Sequence, residues 1–343
     1  MALVTRLDSE QSALMTSEID PVISRGPSPV VTWIGDTHLR YEGWWIPASA
    51  VMSGRPLDVY TQTWPKKTAT ALTLFWMVDG IVSSSPMEVD LQDAGARHDN
   101  TQWKGTIPAE AFEAGRAVEY WIRAEDDARR EQWDSNGGKN YVVIPRDEVT
   151  LFGPEVSVAW RMSGRGCFDV TDGTLVARPG NDLGLYWAAY PIPPAFELSL
   201  DFRLGAADDN SGVFLRFPEP DAFGYDNPAW VGVHFGLEVQ IDETARPDGA
   251  PEHRTGAIYE QRGQTLAQRS AAPPGQWSRY VIRVVAQTYS VELDGYRVAH
   301  LAWPGDPVRP ERALPGGPGA PRFVGVQAHT GAVAFRDVKL RRL

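Results

Sequence analysis

The chain has only one cysteine in 343 residues, Cys167, so an intramolecular disulfide is excluded and no thiol cluster is available for a metal. A catalytic thiol would need a partnering base, which the sequence does not identify. We therefore expect Cys167 to be a small buried side chain.

Long apolar runs are also missing, and none approaches the roughly 20 residues of a membrane helix. The N-terminal stretch "MALVTRLDSEQSALMTSEID" has no uninterrupted apolar core, so it is not read as a secretory signal. These absences predict a protein with no membrane span. The protein is therefore expected in the cytoplasm, or it is exported by a route that needs no signal peptide, or its signal peptide has been removed.

Basic residues are too few for a phosphate-binding surface. There are 33 Lys and Arg against 44 Asp and Glu, and the net charge is −11. A nucleic-acid-binding protein needs a basic face, so nucleic acid is excluded as a partner, and an anionic membrane surface is disfavoured. The acidity itself indicates only solubility, and no partner protein can be inferred from it.

Helical periodicity is scarce, whereas glycine (32) and proline (27) are plentiful, which together predict an all-β chain of strands joined by turns. Residues 1–29 are polar and end near "SRGPSP", which predicts an arm without a core. Short alternating segments then predict an immunoglobulin-like β-sandwich over 30–147 and a second β-sandwich over 154–343, joined through 144–155. The length suits two domains.

The strand "GLEVQID" (236–242) carries the most informative pattern. Alternation places Glu238, Gln240 and Asp242 on one side and Leu237, Val239 and Ile241 in the core. His234 has the parity of the polar row, although Gly236 leaves room for a bulge. The outer carboxylates lie about 13 Å apart along the strand. A paired-carboxylate glycosidase needs about 5–9.5 Å, so one carboxylate with Gln240 as a positioning group is favoured. The alternative is a polar sheet face exposed to solvent.

Six segments, in order, resemble a known family: "NSGVFLR" (210–216), "GLEVQIDE" (236–243), "TGAIYE" (255–260), "PPGQWSRYVIRVVAQTYSVELDG" (273–295), "VGVQAHTG" (324–331) and "VAFRDVKL" (333–340). Together they look like the 3-keto-disaccharide hydrolase domain, a concanavalin-like jelly roll related in fold to family 16 glycoside hydrolases. The likeness covers about 154–343. Ser278 and Asp294 stand where the family usually has asparagine, in turn or strand-edge positions that change little.

The resemblance implies a carbohydrate ligand and cleavage of glycosides whose sugar carries a 3-keto group. Such a ketone acidifies the C2 hydrogen, so a base can remove it, the aglycone leaves C1, and water adds to the enone. Glu238 or His329 is expected to transfer protons, with Arg216 or a metal stabilising the enolate. Substrate-binding residues are expected among Gln240, Asp242, Tyr259, His234, Asn210 and Trp45. No cofactor is required, although Ca²⁺ is conceivable, with Asp172, Asp182 and Asp337 as candidates by residue type alone.

The first half resembles, more loosely, the immunoglobulin-like starch-binding modules, through "DNTQWKGTIP", "VEYWIRAEDD" and "WDSNGGKNYVV". Trp76 and Trp121 lie in apolar alternating strands and are expected in the core. Trp44 and Trp45, near Tyr41, are neighbours in sequence, so at most one of them enters that core. The other provides a platform for a sugar ring or a contact between domains.

The leading hypothesis is thus a carbohydrate-active enzyme that cleaves 3-keto-glycosides by elimination and hydration, or by hydrolysis, at the second sandwich. A non-catalytic, lectin-like glycan binder is one alternative. A structural or assembly protein is the other.

Overall fold

A computed structural model describes residues 32–92, 99–154, 158–303 and 320–343. Within these ranges nearly all regular structure is β-strand, which confirms the all-β prediction. The predicted arm (1–29) and most of the long loop predicted at 304–321 lie outside the described residues. No helix in the described ranges is long and apolar enough to cross a membrane.

The first two sheets are antiparallel and pack as a sandwich. One has the strand order β2-β1-β3-β7-β6, and the other has the order β10-β8-β4-β5, with β9 added beside β8. Their strands are β1 (Trp33–Tyr41), β2 (Trp44–Ile46), β3 (Leu57–Trp64), β4 (Ala69–Val78), β5 (Ile81–Pro86), β6 (Glu88–Gln92), β7 (Thr101–Ile107), β8 (Val118–Asp126), β9 (Glu131–Asp134) and β10 (Tyr141–Val143).

The second sandwich packs a nine-stranded sheet, β13-β14-β24-β16-β20-β21-β22-β19 with β11 beside β24, on the five-stranded sheet β12-β15-β23-β17-β18. The strands and the one described α-helix are β11 (Glu148–Phe152), β12 (Trp160–Gly164), β13 (Cys167–Thr171), β14 (Thr174–Arg178), β15 (Gly184–Ala188), β16 (Phe196–Arg203), β17 (Asn210–Phe217), α1 (Trp230–Phe235), β18 (Leu237–Asp242), β19 (Thr265–Leu266), β20 (Ser278–Val285), β21 (Thr288–Leu293), β22 (Tyr296–Ala302), β23 (Phe323–Ala328) and β24 (Ala334–Arg342).

Alternation explains the core of the second sandwich. In β16 the buried positions Phe196, Leu198 and Phe202 face the five-stranded sheet, while Glu197 and Arg203 are only half-buried. The five-stranded sheet presents its own inward row, including Val213, Val239 and Val326, to the same core. Hydrophobic side chains thus fill the space between the sheets, and polar side chains of the five-stranded sheet lie on the side that faces away from this core.

The two sandwiches touch through specific contacts. Arg55 donates to the backbone oxygen of Pro191 at 2.6 Å, and the Tyr190 hydroxyl donates to the oxygen of Ala50 at 2.9 Å. The Trp44 ring lies edge-on to Trp187 and Phe323, with ring centres 5.6 and 4.9 Å apart. Of the two neighbouring tryptophans, Trp44 therefore takes part in the contact between the sandwiches, whereas Trp45 is exposed.

Two expectations about single residues are wrong. Cys167 is exposed, because β13 is an edge strand of the nine-stranded sheet and has little packed over it. Trp121 points outward from β8, where it lies parallel to Phe75 at 5.8 Å between ring centres. Its register places it opposite Phe75, while the alternate residues Tyr120 and Ile122 fill the core.

Candidate functional site

Strand β18 carries the polar row on the side of its sheet that faces away from the core. Val239 and Ile241 point into the sandwich core, so Glu238, Gln240 and Asp242 occupy the opposite side, which we call the outer face. All six residues of the strand are nevertheless buried. The row therefore lies beneath other parts of the chain rather than on an open surface.

Two segments enclose the row. The segment 255–259 runs along the edge of β18 that β17 leaves free. There the Tyr259 N–H donates to the backbone oxygen of Glu238, and the Gly256 N–H donates to the backbone oxygen of Gln240, both at 2.9 Å. Helix α1 crosses the outer face beside it. A Cβ on Gly232 would lie 3.1 Å from Leu185 and 3.3 Å from Phe214, so the helix backbone rests directly on the sheet. This cover keeps bulk water from much of the row.

The Glu238 carboxyl is the most unusual group in this site. It is 9% exposed, and its buried Oε1 has no hydrogen-bond partner in the described protein. Gly212 on the paired strand leaves the room it needs, because a side chain there would overlap the carboxyl. Burial, assisted by the charge of Glu260, raises the pKa of Glu238 to about 8, and a hydrogen bond from Gln327 only partly opposes this. The carboxyl is therefore protonated at neutral pH.

Gln240 and Asp242 are more fully engaged with the protein. The Asp242 carboxylate accepts hydrogen bonds from Thr244, through its N–H and its hydroxyl, and from Asn210 at 3.1 Å. The Gln240 side-chain oxygen accepts from the Ile241 N–H at 3.1 Å. Asp242 thus shapes the turn after β18 and holds Asn210, and its oxygens are largely occupied.

His329 follows the end of β23 at the Asp242 end of the row. It is partly exposed to solvent, and its Nδ1 lies 2.9 Å from the Thr330 hydroxyl. Partial burial lowers its pKa, while the charges of Asp242 and Asp182 oppose that shift. Its imidazole is therefore neutral at pH 7 and able to accept a proton.

Tyr259 is half-buried and joins Glu238 to the loop that follows β18. Burial raises the pKa of its hydroxyl, and the carboxyls of Glu260 and Glu238 add to the effect. Its ring is 5.0 Å from that of His253, whose Nδ1 lies 2.9 Å from Asp248. Tyr259 therefore keeps its proton and can act as a hydrogen-bond donor beside Glu238.

His234 is placed by a helix, which corrects the predicted strand position. The Asn227 side chain accepts from the Ala229 N–H at 3.1 Å and begins a helical turn, and Gly236 then returns the chain to an extended conformation. His234 lies on the last turn of α1, with its Nδ1 3.0 Å from the Tyr225 hydroxyl. It belongs to the cover of the site rather than to the polar row.

Arg216 does not join Glu238, because a β-bulge interrupts β17 between Leu215 and Phe217. Arg216 has φ +59°, which turns its side chain to the other side of the sheet. There its guanidinium donates to the Ala286 oxygen at 2.7 Å and to the Tyr289 hydroxyl at 3.1 Å. The two-residue alternation of β17 is interrupted at this residue, so Arg216, expected to stabilise the enolate, does not lie beside the row.

Trp45 lies on the first sandwich. Its ring stacks on His38 with centres 3.6 Å apart and planes 5° from parallel, and the Arg40 guanidinium lies 5.3 Å from its ring. It remains 42% exposed. Since one of its faces is covered by His38, the ring offers at most one face to a ligand.

The sequence interpretation missed several residues around the row. Gln327 alternates with His329 along β23, so the same two-residue period could have identified it. Tyr225, Trp230 and His253 come from loops and a short helix, where alternation carries no information. Trp230 approaches the Asp182 carboxylate, with Nε1 to Oδ2 at 3.4 Å.

In the described ranges, no three or more His, Cys, Asp or Glu side chains are grouped as metal ligands. Asp182 accepts from the Asn227 amide at 2.7 Å, Asp337 is 3.6 Å from Arg336, and Asp172 occupies a left-handed turn position. The three aspartates named as calcium candidates therefore do not form one site.

The family model described as a 3-keto-alpha-glucoside-1,2-lyase-like domain matches residues 115–341. No curated protein matches the chain. Among solved structures, two candidate glycosyl hydrolases from Parabacteroides distasonis are similar. One has 18% identity and a TM-score of 0.44 over 57% of this chain and 94% of its own. The other has 25% identity and a TM-score of 0.43 over 57% and 99%. The carbohydrate-binding module CBM66 from Bacillus subtilis has 12% identity and a TM-score of 0.33 over 56% and 98%.

Proposed function

Because the chain belongs to the family of 3-keto-alpha-glucoside-1,2-lyase-like domains, we propose that it cleaves glycosides bearing a 3-keto group, with Glu238 as the proton donor. The match confirms the resemblance in the six segments, although it begins at residue 115, within the first sandwich, rather than near 154. The observation that carries the proposal is the buried Glu238 carboxyl, which holds its proton at neutral pH.

Opposite pKa shifts support a division of labour at the row. The Glu238 pKa is raised to about 8 and the His329 pKa is lowered below its usual 6.5. At pH 7 the first is an acid that can donate and the second is a base that can accept. Tyr259 keeps its proton and can donate a hydrogen bond to the ketone oxygen as charge develops there.

The proposed reaction follows from these roles. His329 removes the C2 proton, and the electron pair of that C–H bond forms the enolate across C2 and C3. The enolate then collapses, the C1–C2 double bond forms, and the bond from C1 to the leaving oxygen breaks. Glu238 gives its proton to that oxygen. Addition of water across the double bond releases a free 3-keto sugar and returns both groups to their starting states.

The direct test is turnover of a small panel of 3-keto-glycosides, such as 3-keto-trehalose and a 3-keto-glucoside, with and without a chelator. We expect the free 3-keto sugar or its enone to be released, while the corresponding glycosides without the ketone remain intact. The rate should fall below the lowered pKa of His329 and also as pH rises through about 8, because His329 must be unprotonated and Glu238 protonated. Binding of these glycosides without cleavage at any pH would contradict the proposal and favour a lectin.

A further inference from the structure

A cavity separate from the polar row lies at one edge of the second sandwich. It is a cavity of about 290 Å³ between the segment that follows β18 and the edge formed by β19 and β22. Thr255 and Ala257 form one side, and Leu266 and Val298 form the other. Its volume is at the small end for ligand sites, which suits one sugar-sized molecule rather than an oligosaccharide.

Arg254 is the key polar group of the cavity. Its Nη1 donates to the Glu243 backbone oxygen at 3.0 Å, which fixes the direction of the side chain. Its Nε is buried and has no hydrogen-bond partner in the described protein, so a ligand in the cavity would meet the guanidinium through its terminal nitrogens, Nη1 and Nη2.

The charges of the lining favour an anion. Arg254 and Arg269 supply two guanidinium groups, whereas Glu243 supplies one carboxylate, whose Oε1 already accepts from the Ala271 N–H at 2.9 Å. The net charge of these three side chains is therefore +1. A planar guanidinium binds a carboxylate through two parallel hydrogen bonds, which makes a carboxylate the best-matched anion.

The remaining lining favours a polyhydroxylated carbon skeleton. Ala257, Leu266 and Val298 provide an apolar wall for C–H groups, while Gln268 and Ser270 provide donors and acceptors for hydroxyls. We propose that this cavity binds a sugar acid, with its carboxylate on Arg254 and its hydroxyls on the opposite polar side chains. The site is separate from Glu238, which does not line the cavity, and the inference does not depend on the proposed reaction.

The site also has a physical connection to the polar row. The Thr255 N–H donates to the Asp242 backbone oxygen at 3.0 Å, and the Thr255 hydroxyl accepts from the Asp242 N–H at 3.0 Å. A ligand seated against Thr255 would therefore rest on the segment that braces the end of β18.

Titration of the full chain with D-glucuronate by calorimetry tests the proposal, with D-glucose and acetate as partial probes. We expect saturable binding of glucuronate, with glucose and acetate each at least about tenfold weaker, because each lacks half of the recognised groups. Arg254→Gln should weaken glucuronate binding about tenfold or more. Ala267→Trp should have a similar effect, since a large ring at this exposed lining position fills the cavity without removing a charged group.

One control separates this site from general surface charge. Arg246→Gln should bind glucuronate as the wild type does, because the Arg246 side chain is 70% exposed and lies 3.5 Å from Asp208 on the surface. No binding of glucuronate to the folded wild type, equal binding of glucose or acetate, or full retention of binding in Ala267→Trp would overturn the proposal.

Discussion

The outer faces of two sheets in this molecule carry similar residues in very different surroundings. On the first sandwich, β8 and β9 present Arg123, Glu131 and Trp133, and Trp133 is 45% exposed. On the second, β17 and β18 present Phe214 and Glu238, both buried under α1 and the segment 255–259.

The difference in cover changes the chemistry of the carboxyl. Glu131 lies at the surface, 3.2 Å from Arg123, and both side chains are solvated. Within the described ranges the buried Oε1 of Glu238 has no hydrogen-bond partner, and burial together with the charge of Glu260 raises the pKa of this carboxyl to about 8. An alternating polar row therefore becomes an acid site only when the rest of the chain closes over it.

Replacing the two glutamates should give the largest contrast. Glu238→Gln removes the donated proton while keeping the shape of the side chain, so we expect kcat on a 3-keto-glucoside to fall by about 10²–10⁴. Glu131→Gln is the matched control on the open face and should leave kcat unchanged. Steady-state rates for both variants check this, and equal rates for Glu238→Gln and the wild type would place catalysis elsewhere.

The same pair of variants should differ in stability as pH rises. The folded-state pKa of Glu238 is raised above its unfolded value of about 4.3, so the stability from the protonated carboxyl is fully present below that value and is lost progressively as pH rises to about 8. Glu238→Gln cannot ionise. We therefore expect the difference between its free energy of unfolding and that of the wild type to rise by roughly 2–4 kcal/mol from pH 5 to pH 8, at about 1.4 kcal/mol per pKa unit. Urea unfolding at both pH values measures this, and a pH-independent difference would count against a buried neutral carboxyl.

Gly212 tests whether the carboxyl occupies the place that the structure gives it. A side chain at 212 would overlap Glu238, so Gly212→Ala should destabilise the protein by about 1–3 kcal/mol. In a Glu238→Ala background the same change should cost much less, because the space is then free. A double-mutant cycle by thermal unfolding measures the coupling, and strictly additive effects would show that the two groups do not touch.

The open aromatic face should show the smallest effect. Trp133→Ala removes an exposed ring beside Arg123 and Phe75, and we expect less than about 0.5 kcal/mol change in stability and no change in kcat. Trp45→Ala, also on the first sandwich, serves as the parallel variant. Loss of turnover in either would show that the first sandwich takes part in the reaction.

The two-residue alternation of the sequence was sufficient to predict which side chains of β18 face the core, because alternation depends only on neighbouring residues. The turn position noted at Asp294 is equally local, since Asp294 and Gly295 both have positive φ, 50° and 80°. Arg216 could not be placed, since a single bulge reverses every side chain beyond it. His234 could not be placed either, because six residues of helix interrupt an otherwise strand-like run.

The burial of Glu238 was beyond sequence reasoning for a further reason. Its environment is set by Gly212, Gln327 and Glu260, which come from distant parts of the chain. Alternation predicts the direction of a side chain but not what covers it. The predicted row was therefore expected to face a ligand directly, whereas the structure encloses most of it.

The pKa of the Glu238 carboxyl is the most direct test of the central claim. It can be followed by ¹³C NMR of protein labelled at the glutamate side-chain carboxyl, with the resonance assigned by its absence in Glu238→Gln. We predict one carboxyl resonance, absent in Glu238→Gln, that titrates near pH 8. A Glu238 carboxyl that is fully ionised by pH 6 would contradict the account.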